Sequence, residues 1–278
     1  MGLEAAGTVP FAGRTVPRLG FGAMRLPGPG VSGPPRDRAA AVSLVRRAVD
    51  QGVRVIDTAW YYGPDVADEI LAEALRPYRA DLVFVTKLGA ERTGDKAWTT
   101  ALRPEQLRAG CERELRLLGV DSVPVTHLRW TDDPASEASF VDALGAMRQL
   151  RQDGKIEYIG LSNVTLDQLD IALQVTDIAS VSNSYSVTGR DDDPMVERCE
   201  RLGIAYLPFF PLDMGRVRRH DELSRVAESL HATPVQVAIA WLLRRSPVIL
   251  PIPGTSRIEH LEENLAAPDL ALPENALA

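Results

Sequence analysis

Short apolar runs alternate along the chain with longer amphipathic segments. The apolar runs occupy 19–22, 53–56, 82–85, 123–128, 158–161, 178–181, 204–207 and 248–252. They are continuous, which is typical of strands buried on both faces of a sheet. Between them, apolar residues such as Leu107, Cys111, Leu115 and Leu118 recur at helical spacing. The alternation predicts an α/β fold with a parallel sheet, and its eight runs match the number of strands that closes a (β/α)8 TIM barrel.

The sequence also carries signals for a hairpin and for the starts of three helices. Two short extended runs, 9–11 and 15–17, flank Gly13 and predict a small β-hairpin. Thr165, Thr233 and Ser256 each precede a Gln or Glu by three residues, which predicts a capping box at three helix starts. Because no linker or shift in composition interrupts the chain, we expect residues 1–278 to form one domain.

Composition narrows the classes of function. The net charge of −7 argues against nucleic acid or an anionic membrane as the main partner. No apolar run is long enough to span a bilayer, and the start lacks the apolar core of a secretion signal. The two cysteines, Cys111 and Cys199, are interpreted as buried or incidental thiols, and no His/Cys/Glu cluster suggests a metal. We therefore expect a cytoplasmic protein.

Polar residues collect where the predicted strands end. In a (β/α)8 barrel the active site lies at the carboxyl ends of the strands. Those ends carry Asp57 with Tyr61 and Tyr62, Lys87, His127 with Arg129, Ser162-Asn163, Ser182-Asn183, Phe209-Phe210 and Pro253-Gly254-Thr255. Each residue alone has an ordinary explanation as a turn, a solvated charge or loop packing. Asp57, Tyr62 and Lys87 together predict a shared site at the barrel mouth.

These three residue types suit the reduction of a carbonyl group. A free phenol has a pKa near 10 and is a poor acid at neutral pH. A lysine beside Tyr62 is expected to lower that pKa, and Asp57 is expected to hold Lys87 in place. A tyrosine in this setting can donate a proton to a carbonyl oxygen as hydride reaches the carbon.

Longer motifs resemble the aldo/keto reductase family over almost the whole chain. They are residues 19–25 (LGFGAMR), 55–63 (VIDTAWYYG), 85–87 (VTK), 154–163 (GKIEYIGLSN) and 250–256 (LPIPGTS), followed by Glu263-Asn264. The resemblance implies a (β/α)8 barrel with an N-terminal hairpin plug, NADPH extended across the mouth, and reduction of an aldehyde or ketone. No glycine-rich dinucleotide fingerprint is expected, since the family binds its cofactor on the barrel.

The family's catalytic Asp, Tyr and Lys carry over to Asp57, Tyr62 and Lys87. The fourth member, a His after strand four, does not carry over directly. An ungapped alignment places it on Arg129, whereas His127 lies two residues earlier, on the same face of the strand. We expect His127 to take the role, because a permanent cation beside Tyr62 would stabilise the phenolate. Arg129 is then expected to face Asp132 or Asp133, and its direct replacement of the His is the alternative.

The resemblance also implies a cofactor site. Its residues are Gly22, Ala23, Met24, Asp57, Ser162, Asn163, Ser182, Phe209, Pro211, Leu212, Ile252, Pro253, Gly254, Thr255, Ser256, Arg257, His260, Glu263 and Asn264. Ser182 replaces the Gln of many members, and His260 replaces an Arg, so Arg257 is expected to contact the 2′-phosphate. A helix beginning at Ser256 would add its N-terminus to that site. We favour NADPH over NADH, and interpret the run from Arg216 to His220 as a solvated loop.

The substrate pocket and the class of function leave alternatives. Trp60, Trp98, Arg129 and Trp130 are candidate pocket residues, although each tryptophan is equally well explained by packing. The small-molecule carbonyl substrate is not readable from the sequence. The alternative function is a cofactor-binding regulatory or weakly catalytic barrel protein, which only the altered strand-four segment favours. A barrel isomerase or lyase is disfavoured, because the sequence shows no other set of acid–base residues.

Overall fold

The computed structural model describes residues 3–92, 97–131, 138–273 and 276. The strands are β1 (Thr8–Phe11), β2 (Arg14–Pro17), β3 (Phe21–Gly22), β4 (Val55–Asp57), β5 (Val83–Leu88), β6 (Ala90–Arg92), β7 (Trp98–Thr100), β8 (Val123–Arg129), β9 (Ile156–Ser162), β10 (Ser180–Ser182) and β11 (Ala205–Tyr206). The α-helices are α1 (Arg38–Asp50), α2 (Val66–Leu75), α3 (Pro104–Leu118), α4 (Phe140–Gln152), α5 (Leu166–Val175), α6 (Asp193–Leu202), α7 (Asp221–Ser229), α8 (Pro234–Arg245) and α9 (Ile258–Leu265).

A curled parallel sheet forms the centre of the molecule. Its strand order is β11-β10-β9-β8-β5-β4-β3, so neighbours in the sheet follow one another along the chain. Helices connect most of these neighbours, as parallel strands require. The carboxyl ends of the strands consequently meet at one edge of the sheet.

The segment 248–253 bonds to both edge strands of this sheet. On one side the Leu250 N–H donates to the Tyr206 carbonyl oxygen at 2.8 Å. On the other side the Gly20 and Gly22 N–H groups donate to Pro251 and Pro253 at 2.9 and 3.3 Å. Backbone hydrogen bonds therefore join β11 to the chain around β3 through this segment. The strand predicted at 248–252 is reduced to an isolated parallel bridge between Tyr206 and Ile249.

The interior of the sheet is filled by β-branched and small apolar side chains. Val55, Val83, Val85, Val125 and Leu250 belong to one buried cluster. The antiparallel pair β1 and β2 packs its own apolar residues into the same cluster, with Val9, Phe11 and Val16 buried. Burial of this kind is the main favourable contribution to folding.

The predicted helix starts are confirmed at two of three places. Thr165 and Thr233 cap α5 and α8 by accepting N–H groups at 3.2 Å, and both capping boxes are complete. The start predicted at Ser256 was wrong, because α9 begins at Ile258 with Arg257 before it. Thr255 Oγ1 accepts the Arg257 N–H at 3.1 Å, and the helix starts one residue later than predicted. No helix in the described part of the chain is long and apolar enough to cross a bilayer.

Candidate active site

Asp57 and Lys87 form a buried ion pair at the carboxyl ends of β4 and β5. Asp57 lies opposite Val85, so Lys87, two residues further along, points to the same face. The Lys87 ammonium donates to both Asp57 carboxylate oxygens at 2.6 Å and to the Thr58 carbonyl oxygen at 3.2 Å. Burial raises the pKa of the Asp57 carboxyl, and the charge of Lys87 opposes this shift. The lysine is thus fully engaged by its partner.

Tyr62 is placed beside this pair by the turn that follows β4. Its N–H donates to the Ala59 carbonyl oxygen at 2.9 Å. Gly63 comes next with a φ of 113°, and a Cβ there would lie 2.5 Å from the Val66 Cβ. Only glycine allows the chain to turn into α2 at this point. The Lys87 ammonium lies 5.2 Å from the centre of the Tyr62 ring, so the structure brings Asp57, Tyr62 and Lys87 together.

The electrostatics of Tyr62 differ from the sequence-based expectation. Its pKa is held well above the usual 10, first by burial and then by the negative charge of Asp57. The positive charge of Arg129 opposes this shift. The expected lowering of the Tyr62 pKa was therefore wrong. At neutral pH the hydroxyl keeps its proton, which a general acid requires.

His127 lies opposite Lys87 in the sheet register. It is fully buried, opposite Gly160 in the register, and a Cβ on Gly160 would lie 2.1 Å from its ring. Its Nε2 is 2.8 Å from Ser180 Oγ, and its Nδ1 has no hydrogen-bond partner among the described residues. Burial and the charge of Lys87 lower the pKa of His127 to about 3, so the ring is neutral. Its depth weighs against direct contact with a substrate.

Arg129 stands one step further out on the same face. It lies opposite Ser162 at the end of β8 and is only partly buried. Its Nη1 donates to Thr131 Oγ1 at 3.0 Å. The suggested partners Asp132 and Asp133 lie outside the described residues. The objection to a cation here is also weakened, because burial and Asp57 keep Tyr62 protonated despite Arg129.

A cleft of about 400 Å³ opens beside Asp57 and Tyr62 and runs to α9. We call it the mouth cleft. Predicted cofactor residues that line it are Gly22, Met24, Asp57, Phe209, Pro211, Leu212, Ile252, Pro253, Gly254, Thr255, Ser256, Arg257, His260 and Asn264. The segment 248–253, which bonds to both sheet edges, therefore also forms part of its wall.

The far end of the mouth cleft suits a phosphate-containing ligand. Arg25, Arg218, Arg257 and His260 line the cleft in a protein of net charge −7. The first turn of α9 has no side-chain cap, so its N–H groups are available to an anion. The buried Asn264 Oδ1 has no hydrogen-bond partner in the described part of the chain and can accept one from a ligand. These donors and this acceptor fit NADPH.

Five predicted cofactor residues do not line the mouth cleft. Ala23, Ser162 and Ser182 are buried, although Ser162 and Ser182 are paired in the sheet and share a row with Arg129. Asn163 is exposed, and its side-chain amide donates to the Trp130 carbonyl oxygen at 2.9 Å. Glu263 forms an ion pair with Arg218.

The three candidate pocket tryptophans have different surroundings. Trp98 is 42% exposed on β7, and its ring centre lies 6.3 Å from that of Tyr62. Trp60 faces α3 instead, with the Arg113 guanidinium 4.4 Å from its ring centre. Trp130 is buried edge-on against Phe140. Among the described ring contacts, Trp98 is the tryptophan that lies beside a predicted catalytic residue, and the packing explanation fits Trp60.

Sequence reasoning overlooked two cations of the mouth cleft. Arg25 is the last residue of the matched motif 19–25, and Arg218 belongs to the run interpreted as a solvated loop. The residues 213–219 instead form a 3-10 segment against the cleft, with Arg218 bound to both oxygens of Glu263. The chain gives no local signal for this pairing, because its partners are 45 residues apart.

The sequence matches the family profile described as "Aldo/keto reductase family" over residues 18–278. The chain belongs to the aldo/keto reductase family. We call Asp57, Tyr62 and Lys87 the acid centre. Family membership agrees with its place at the carboxyl ends of parallel strands, beside a cleft that cationic side chains line.

Among curated members, pyridoxine 4-dehydrogenase of Escherichia coli strain K12 is 45% identical over 99% of this chain and 97% of its own. An uncharacterised oxidoreductase of Schizosaccharomyces pombe is 37% identical over 98% of this chain and 88% of its own. An aldo/keto reductase from Klebsiella pneumoniae, solved with NADP and acetate, is 26% identical with a TM-score of 0.79. That match covers 97% of this chain and 92% of the other.

Proposed function

We propose that the protein reduces an aldehyde or ketone to an alcohol with NADPH. The observation that carries this proposal is a protonated Tyr62 beside the Asp57–Lys87 pair, at one end of a cleft that carries phosphate-binding groups at the other. Solved relatives, such as the Klebsiella pneumoniae reductases, contain NADP or NADPH. As the fold, we propose a closed (β/α)8 barrel with the hairpin β1–β2 as its plug and a single domain over 1–278. A cytoplasmic location stays a sequence-based prediction.

Different parts of the mouth cleft would bind different parts of NADPH. Arg25, Arg257 and the N-terminus of α9 would hold phosphate groups, and Asn264 would accept a hydrogen bond from the base. Phe209 offers an aromatic face nearer to Tyr62. When bound, NADPH supplies the hydride for the carbonyl carbon. NADH would lack the 2′-phosphate that Arg257 is proposed to contact.

Tyr62 then supplies the proton. Its hydroxyl donates a hydrogen bond to the carbonyl oxygen and transfers the proton as negative charge develops there. The Asp57–Lys87 pair holds the ammonium beside the ring. We propose Arg129, rather than His127, as the second donor to that oxygen, because Arg129 is in the outer row with Ser162 and His127 is buried below it.

The relative in Escherichia coli suggests a first substrate. Dehydrogenation of pyridoxine at its 4-hydroxymethyl group gives the aldehyde pyridoxal, and the reverse reaction is a carbonyl reduction. Since the two chains are 45% identical over nearly their full lengths, we propose pyridoxal and pyridoxine as the first pair to test.

The test is consumption of NADPH by the purified protein. We expect turnover with pyridoxal, or with a generic aromatic aldehyde if the natural substrate differs, and loss of turnover in Tyr62→Phe. Binding of NADPH without turnover on any carbonyl would favour the alternative, a regulatory or weakly catalytic barrel protein. The altered strand-four segment, THLRW, is the feature that favours this second candidate.

A further inference from the structure

A pair of buried carboxyl groups lies behind the active-site loop. Asp68 on α2 and Glu114 on α3 are 0% and 1% exposed, and their side chains are hydrogen-bonded to each other. Ionised carboxylates are acceptors only, so two neighbouring buried carboxyls can bond to each other only if one of them carries a proton. Neither residue takes part in the chemistry proposed above.

Each carboxyl group also holds one point of the loop that connects Asp57 to Tyr62. Asp68 Oδ1 accepts from the Thr58 hydroxyl at 2.6 Å. Glu114 Oε1 accepts the Trp60 N–H at 2.7 Å. The remaining oxygens, Asp68 Oδ2 and Glu114 Oε2, are buried and have no hydrogen-bond donor among the described residues. A proton between the two carboxyls would satisfy both oxygens and complete a chain from Thr58 to Trp60.

Helix α3 holds the same loop at further points. Gly110 leaves room for the Trp60 ring, since a Cβ there would lie 3.2 Å from the indole nitrogen. Arg113 stacks on Trp60 and donates two hydrogen bonds of 2.7 Å to Asp65, just before α2. The loop is thus supported from behind by one face of α3, which includes the buried Glu114.

The charges around the pair favour retention of a proton. Burial raises the pKa of Asp68 to about 6 and raises the pKa of Glu114 well above its usual value. Asp65 raises the pKa of Asp68 further, and Asp68 does the same for Glu114, whereas Lys87 opposes both shifts. The other titratable neighbours are neutral at pH 7, because burial keeps the pKa values of Cys111, Tyr61 and Tyr62 raised. Arg113 is paired with Asp65.

We propose that Asp68 and Glu114 share a proton and that this protonated pair is a positioning element that holds Asp57 and Tyr62 in their catalytic arrangement. The catalytic part of this inference rests on the proposed function, whereas the shared proton does not. Loss of the proton would leave two facing negative charges in a buried site, which is strongly unfavourable. The loop would then lose its support.

The shared proton links stability to pH. In the unfolded chain both carboxyls ionise near pH 4, while the folded protein keeps one or both protons at higher pH. Folding therefore takes up protons, and stability falls as pH rises through the raised pKa values. Each extra proton changes the unfolding equilibrium about tenfold per pH unit.

The experiment compares unfolding in denaturant between about pH 6 and about pH 8 for the wild type and amide variants. In Glu114→Gln the amide can donate to ionised Asp68 and still accept the Trp60 N–H, so the pair needs no proton. We expect the unfolding equilibrium of Glu114→Gln to change about tenfold less per pH unit than that of the wild type. If Glu114→Gln folds poorly, Asp68→Asn tests the shared proton by changing the other carboxyl of the pair. Glu69→Gln, the exposed neighbour on α2, is the matched control and should keep the wild-type slope.

The activity measurement separates positioning from general support. Glu114→Ala should lower kcat on the order of tenfold or more, with NADPH affinity kept, and Glu114→Gln should restore most of it. Equal losses of kcat and NADPH affinity would show a purely structural role and overturn the positioning proposal. An unchanged pH slope in both amide variants would overturn the shared proton. If the wild type reduces no carbonyl, the proposed function fails, while the unfolding slopes still decide whether the proton is shared.

Discussion

The two sides of the mouth cleft are built in opposite ways. On the side of Asp57, Tyr62 and Lys87, charges are buried and neutralised by partners within the protein. On the side of α9, Arg257 is mostly exposed, and among the described residues its ion pair is with the exposed Glu259 at 3.4 Å.

This contrast assigns different tasks to the two sides. A buried, internally satisfied group keeps its protonation state and position before any ligand arrives. An exposed cation in a loose ion pair can take a bound anion as a further partner. We therefore expect changes on the first side to affect kcat and changes on the second to affect cofactor affinity.

The strongest test of this division is Tyr62→Phe. We expect kcat to fall by roughly 10²–10⁴-fold, because the proton donor is removed. NADPH affinity should stay close to the wild-type value, since the phenol is not among the phosphate-binding groups. Measured turnover near the wild-type rate would remove Tyr62 as the acid.

Lys87→Met should have its main effect on stability. It leaves Asp57 buried without its partner, which typically costs about 3–5 kcal/mol. The pKa of Asp57, already raised by burial, rises further, so the destabilisation should be greatest at neutral pH and diminish in acid. Asp57→Asn combined with Lys87→Met should recover part of the stability. Lys155→Met, at an exposed ion pair, is the control, and a loss as large there would refute the account.

Arg129→Met tests whether Arg129 or His127 is the second donor to the carbonyl oxygen. We expect kcat to fall by about 10²-fold, as for loss of one donor to a developing oxyanion. Because Arg129 opposes the upward shift of the Tyr62 pKa, its removal should also move the alkaline limb of the pH–rate profile to higher pH. His127→Asn should cost less. The reverse order of losses would return the role to His127.

The smallest expected effect is on the other side. Arg257→Ala should weaken NADPH binding by about tenfold and leave NADH binding nearly unchanged, because only NADPH carries the 2′-phosphate. Arg225→Ala, an exposed change on α7, serves as the control. Equal weakening for both cofactors would place the 2′-phosphate elsewhere, at His260 or at the backbone of α9.

Several features followed directly from the sequence. Residues buried on both faces gave seven of the sheet strands to within a few positions, and the motif around Asp57 placed the acid centre at their ends. The pair β6–β7 was missed because its residues are polar and partly exposed, with no apolar alternation. That pair nevertheless carries Trp98 to the mouth.

Other features depend on three-dimensional distances that local patterns do not contain. Alternation puts His127 and Arg129 on one face but does not tell which is deeper. Asp68 and Glu114 look like solvent-facing helix residues, and only the packing of α2 on α3 reveals their burial. The pKa of Tyr62 likewise depends on its desolvation, which the sequence order of charges does not give.

Completion of the mouth cleft during folding depends on the segment 248–253. Arg18 donates to the Ile249 carbonyl oxygen across 231 residues, so this junction depends on one of the most distant contacts in the chain. During synthesis, the edges at β3 and β11 cannot be joined until the ribosome has released this late segment. Ile252, Pro253 and Gly254 also line the mouth cleft, so that cleft is completed in the same step. A dinucleotide present in the cell would then favour the joined state by mass action.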